Sequence, residues 1–264
     1  MEPFAKILLI NLTTVVFMMT IGWIISLIYK NVNVVDSLWG LGFVLIVWVT
    51  YFLSDGYGPR TTLIAALVTI WGIRLSLHLT WRNWGQGEDR RYGEWREQSG
   101  DKFWMVSLFK VFLLQAAVMW SISLVLQYGQ MSPTPNHLTV FDGVGVIAWT
   151  TGFLFESIGD WQLARFKSNP ANKGKVMDQG LWGYSRHPNY FGEFLMWWGL
   201  FLVTLATPAS WWTIVSPLIV TVVLLKLTGI ALTEKNITRT RPKYNEYIER
   251  TSAFIPWFPK KGTT

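Results

Sequence analysis

Residues 180–199 read GLWGYSRHPNYFGEFLMWWG, a polar turn that runs directly into an apolar segment. Pro188 stands where a first helical residue is expected, because it needs no N–H donor there and its φ is preset. The spacing predicts a helix from Pro188 to about Ala206, with Arg186 and His187 just before it. The N-terminus of such a helix, with free N–H groups and the positive end of the dipole, suits an anionic or carbonyl-bearing ligand. Asn189, Glu193 and Trp197 follow at i, i+4 and i+8 and share one face. A carboxylate within an apolar helix costs roughly 2.5–3.5 kcal/mol at mid-membrane, so it is expected to have a partner and a role.

The rest of the chain fits a membrane setting. Of 264 residues, 51% are hydrophobic and 15% charged, and 17 Trp and nine Tyr suit aromatic belts at two interfaces. The absence of Cys excludes disulfides, thiolate metal sites and a Cys nucleophile. Three scattered His (78, 137 and 187) do not make a metal site, and none is expected. The net charge of +7 points to anionic lipid or an anionic small molecule; in a membrane protein nucleic acid is not expected as a partner. The first apolar run is too long for a cleavable signal peptide and lacks a small-residue cleavage site.

Seven spans are expected, at residues 4–29, 34–53, 61–81, 102–126, 140–158 (continuing as helix to about 166), 188–206 and 211–233. The segments between, including 83–102, 127–139 and 168–185, read as loops. Most of the 23 Lys and Arg fall after the first, third and fifth spans and in the tail. The positive-inside rule then places the N-terminus outside and the C-terminus in the cytoplasm. With no internal repeat and no linker, residues 1–264 read as one all-α integral membrane domain.

Polar residues gather at the cytoplasmic ends of these spans. Trp71, Arg74, His78 and Arg82 form one stripe at i, i+3, i+7 and i+11, and Glu156, Asp160 and Lys167 face one way on the fifth helix. The segments EDRRY, RHPNYFGE and 234–241 lie at the same level. Intramembrane polar groups face inward or line a cavity. Their pattern predicts a site open to the cytoplasm for an anionic soluble ligand and a lipid-soluble partner. Asp36, just inside the second span, reads equally as a catalytic acid or as a charge serving the helix dipole. No G-x-G-x-x-G occurs, which removes a Rossmann cofactor domain.

GLWGYSRHPNYFGE resembles the C-terminal signature shared by membrane steroid 5α-reductases and sterol C14 and Δ7 reductases. Within that superfamily it is most similar to the bacterial branch with a 5α-reductase-type C-terminal domain. The resemblance is specific over about residues 155–256 and weaker over 36–92. A looser RHP-x-Y-x-G occurs in isoprenylcysteine carboxyl methyltransferases. The resemblance implies NADPH as cofactor, held by the last three helices and their loops. It implies Asp160 on a ribose hydroxyl or adenine, Lys167 and Lys175 on phosphates, and Arg186 and His187 on the pyrophosphate. It further implies Asn189 on the nicotinamide carboxamide and Glu193 orienting it. Glu156, Leu181, Trp182 and Tyr184 join the same set, with Glu234, Asn236, Arg239 and Tyr247 from the tail. Arg82 and Asn83 would close the site. A two-electron reductant of this kind carries about four negative charges, which the basic excess suits.

The reaction implied is reduction of a C=C bond conjugated to a ketone in a lipid-soluble, steroid-like substrate of the 3-oxo-Δ4 type. Charge builds on the carbonyl oxygen and needs a donor there. Asp36 is the counterpart of the family's Glu, whereas Leu79 stands where the Tyr is expected; Tyr92, His78 and Glu88 are the alternatives. The expected setting is a monomer, multi-pass in a bacterial inner membrane, among its lipids. The rival readings are an S-adenosylmethionine-dependent methyltransferase of a lipidic substrate and a small transporter, against which the lack of a repeat speaks.

Overall fold

The computed structural model describes residues 3–227, 230, 234 and 244–260. Among them every regular element is helical. Cα proximity divides the chain into two compact units, Met1–Asp142 with Val203–Thr213, and Gly143–Leu202 with Ile214–Thr264.

The first unit carries α1 (Pro3–Ile28), α2 (Val34–Leu53), α3 (Gly58–Asn83) and α4 (Arg90–Ser99). Helical segments Phe103–Ser107, Leu108–Leu113, Leu114–Ile122 and Leu124–Gly129 continue from there, the second of them of π type. Among the described residues four stretches are long and apolar enough to cross a bilayer: Pro3–Ile28, Val34–Leu53, Gly58–Asn83 and Arg90–Gly129. In lipid a helix satisfies its own backbone, which is why such spans are helical. This is a multi-pass membrane protein.

Helices α2 and α3 touch backbone to backbone. A Cβ on Gly40 would lie 2.3 Å from the Gly72 carbonyl oxygen, so only glycine allows the approach. Buried Asn11 of α1 donates from Nδ2 to Thr50 Oγ1 of α2 and to Gln127 Oε1, 2.9 Å each. That tie joins α1 and α2 to segment Leu124–Gly129. Elsewhere in the unit, Arg60 and Asp142 form a bidentate pair at 2.8 and 3.0 Å, both almost wholly buried. Asp142 also accepts from the Thr139 N–H and hydroxyl.

The second unit is built on all but the first three residues of α5 (Val140–Ser168) and all but the last three of α6 (Pro188–Leu205), with α7 (Tyr244–Arg250) near its end. Pro188 opens α6, as the sequence predicts. Close packing of α5 on α6 again uses glycine: a Cβ on Gly192 would lie 2.4 Å from the Glu156 N and 2.5 Å from the Gly152 O. Glu156 is thereby set beside the helix crossing.

The structure differs from the sequence expectation at four places. The expected loop 83–102 contains α4, capped by Asp89, whose Oδ1 accepts from the Arg91 N–H at 2.9 Å. The expected fourth span is interrupted by the π segment, and its helix reaches Gly129, past the expected end. Helices α5 and α6 have spanning length, 29 and 18 residues, but carry Asp142, Glu156 and Asp160, or Asn189 and Glu193, and fall outside the four apolar stretches. The seventh expected span begins as a shorter apolar helix, Trp211–Lys226, and its continuation to 233 lies largely outside the described residues.

Candidate functional site

In the second unit the polar residues of α5 and of the 180–189 turn converge. Asp160 is 8% exposed and accepts at Oδ1 from Asn189 Nδ2 at 3.0 Å. The amide nitrogen is the donor in this bond, which fixes the end of the Asn189 side chain that faces Asp160. The other end, Oδ1, is buried with no hydrogen-bond partner. An orphaned buried acceptor is costly unless something donates to it. Glu156 lies one turn before Asp160 and is buried; Glu193, one turn beyond Asn189, is half-buried. Lys167, at the end of α5, and Lys175, in the following turn, are exposed.

The turn itself is pinned from many sides. Trp182 is buried and donates from Nε1 to the Gly159 carbonyl at 3.0 Å. The Leu181 N–H donates to Gln162 Oε1 at 3.0 Å. Buried Tyr247 of α7 donates its hydroxyl to the Trp182 carbonyl, and burial drives its pKa up. Tyr184 is exposed, and its carbonyl accepts from the Trp257 N–H at 2.9 Å.

Arg186 has a role the resemblance does not imply. It is buried, and four of its hydrogen bonds run inside the unit. Nε and Nη2 grip Glu234 at 2.7 and 3.1 Å; Nη1 donates to the Ile248 and Thr251 carbonyls at 3.0 and 2.6 Å. Its own N–H donates to the Ser252 carbonyl at 2.9 Å. The guanidinium therefore satisfies carbonyls at the C-terminal end of α7 and neutralises Glu234. His187 Nε2 lies 3.1 Å from Glu234 Oε1, and its ring stacks on Tyr190. Burial pushes the Glu234 carboxyl up, but hydrogen bonds from His187 and Arg186, and their charge, outweigh it and hold the pKa at about 2. Asn236 and Arg239 lie outside the described residues.

The first unit gathers the other candidates. Asp36 sits in the first turn of α2, where its Oδ2 accepts from Asn83 Nδ2 at 3.1 Å and Arg82 Nη2 at 3.4 Å. Asn83 in turn accepts from Arg82 Nε at 3.2 Å. His78 is half-buried on α3, near the Trp81 ring. Tyr92 is buried in the first turn of α4.

Glu88 is a fastener. One oxygen accepts from the Val32 N–H at 3.0 Å, and the Arg96 guanidinium grips both oxygens at 2.7 and 2.9 Å. Asn33 completes the hold, donating to the Gly87 carbonyl at 3.1 Å and accepting from the Asp89 N–H at 2.9 Å. Neither Asn33 nor Arg96 belongs to a motif; an Asn directly before an apolar helix is the visible signal, but it points to an N-cap. Glu88→Gln is expected to weaken one charge-assisted fork, worth roughly 1.5–3 kcal/mol. Hydrogen exchange over residues 84–99 should rise about ten- to hundredfold, with little change elsewhere.

What these elements define is an integral membrane protein with a buried carboxylate–amide pair at a helix start. The family described as Protein of unknown function (DUF1295) matches residues 22–251, and the chain belongs to it. An uncharacterized protein of Schizosaccharomyces pombe, C594.04c, is 24% identical over 268 residues, covering 89% of this chain and 75% of that protein. The Delta(14)-sterol reductase of Ascobolus immersus is 26% identical over 166 residues, covering 56% of this chain and 36% of the reductase. No solved structure matches.

Proposed function

We propose that this protein is a membrane reductase that uses NADPH to reduce a C=C bond conjugated to a ketone in a lipid-soluble, steroid-like substrate. The observation that carries this reading is the Asp160–Asn189 pair with its orphaned acceptor, Asn189 lying inside the RHPNYFGE signature. Distant similarity to a sterol reductase supports the reaction class. A carboxamide N–H is the kind of donor that Asn189 Oδ1 lacks. Exposed Lys167 and Lys175 suit phosphates, as point charges. Bound NADPH would supply hydride to the β-carbon of the enone.

The chain's own residues supply position and charge. Asn189 orients the carboxamide while Asp160 holds Asn189 in place. Trp182, Tyr247 and Arg186 fix the turn from which α6 starts. Asp36, whose Oδ2 accepts from Asn83 and Arg82, is the proposed catalytic residue of the first unit. Glu88 is assigned to positioning, because both its oxygens are already engaged. The same reading has seven spans, the N-terminus outside, the C-terminus and site on the cytoplasmic side, and a monomer in a bacterial inner membrane.

The test is turnover by purified protein in mixed lipid–detergent micelles, with NADPH and a panel of steroidal and isoprenoid enones. The expected result is loss of NADPH absorbance matched by a product two hydrogens heavier. Methyl transfer from S-adenosylmethionine to a lipidic acceptor, with no NADPH consumed, would overturn the proposal.

A further inference from the structure

A second site lies on the other side of α5. Residues Glu156, Asp160 and Lys167 follow one face of that helix, whereas Trp161, Gln162, Arg165 and Phe166 follow the opposite one at 3.6 residues per turn, and Asn169 comes just past the helix end in extended conformation. These five residues, with Asn172 and the turn ahead of α6, line a cleft of about 340 Å³. That volume falls in the range of small-molecule sites. Among the described residues no carboxylate lines it.

The polar groups are arranged for an anion. The Arg165 guanidinium lies 5.5 Å from the Trp161 ring centre, which keeps it at the rim of the cleft. Gln162 Oε1 accepts from the Leu181 N–H and Asn169 Oδ1 from the Ala171 N–H, 3.0 Å each. Both amides thus have their acceptor ends tied to backbone, which leaves NH2 donors to present. Asn172 is turned the other way: its Nδ2 donates to the Phe166 carbonyl at 3.0 Å, which leaves an acceptor. One cation and two amide donors fit a phosphate, one acceptor fits a neighbouring hydroxyl, and Trp161 and Phe166 supply an apolar wall.

We propose that this cleft binds a phosphate ester of a polyol carrying an apolar or aromatic group, at a site separate from the Asp160–Asn189 pair. Such chemistry has two sources, the glycerophosphate headgroup of an anionic phospholipid and a soluble nucleotide. The site stands whether or not the reductase reading does, because none of its residues is used there.

Calorimetric titration of the full chain in detergent separates these cases. The probes are dihexanoyl phosphatidylglycerol, AMP, and dihexanoylglycerol as the phosphate-free control. Saturable binding of at least one phosphate probe is expected, with Kd raised tenfold or more by Arg165→Gln. Asn169→Asp keeps the acceptor that Ala171 needs but puts a carboxylate oxygen in place of the donor, and should weaken binding at least as much. Lys102→Gln, an equal change of charge outside the cleft, and Asn189→Leu should leave it unchanged. Binding of phosphatidylglycerol alone assigns the lipid source, of AMP alone the nucleotide, and of both the shared chemistry. The proposal is overturned if neither phosphate probe saturates, if dihexanoylglycerol binds as well, or if only Asn189→Leu weakens binding.

Discussion

Arg186→Met is expected to release the C-terminal segment of the second unit from the turn ahead of α6. The substitution leaves Glu234, with 17% of its side chain exposed, without its bidentate partner, and strips the Ile248 and Thr251 carbonyls of a donor. Breaking a buried pair by removing one member costs about 3–5 kcal/mol. Limited proteolysis should cut within 244–260 at least a hundredfold faster, while α5 and α6 keep their protection. Arg186→Lys should fall in between, since an ammonium cannot reproduce the fork. The same cluster gives the segment a pH dependence. Glu234 has its folded-state pKa lowered to about 2, so its contribution is present above the unfolded value near 4.5 and is lost as pH falls toward 2. A shift of that size corresponds to about 3 kcal/mol. Acid-induced release over that window should vanish in the Glu234→Gln variant.

Asn189→Leu is expected to do the opposite: to abolish function while sparing the fold. The wild-type side chain keeps a buried acceptor without a partner. Removing it relieves a desolvation cost of about 1–3 kcal/mol, set against the loss of one hydrogen bond to Asp160. The substitution also takes this donor from buried Asp160 Oδ1, a cost of similar size, so thermal stability should change little. Affinity for NADPH should fall at least thirtyfold, about 2 kcal/mol, because the carboxamide loses its acceptor. A protein that keeps its fold but no longer binds is the signature of a residue kept for its ligand rather than for packing.

Much of this site is legible in the residues because its signals are local. Pro188 marks the start of α6, and Asn189 with Glu193 and Asp160 with Glu156 each pair at one-turn spacing. Helix α2 runs over 34–53, as its apolar pattern predicts. Helix α4 is harder to see because it is short and mostly polar, with Tyr92 and Trp95 alone to mark an apolar face. The Arg186–Glu234 pair escaped for another reason. Its partners lie 48 residues apart, and a basic residue beside a helix N-terminus suggests an anion from outside as readily as one from the tail. Glu88 looked like an acid for chemistry, yet Arg96 and the Val32 N–H take up its oxygens. In the cleft, Gln162 and Asn169 became informative only once their backbone partners were known.

The central claim is most directly tested by energy transfer from the tryptophans to NADPH in the detergent-purified protein. Saturable transfer with NADPH, weaker with NADH, indifferent to S-adenosylmethionine and lost in Asn189→Leu, is the predicted result. Absence of saturable transfer, together with thermal stabilisation by S-adenosylmethionine, would contradict it.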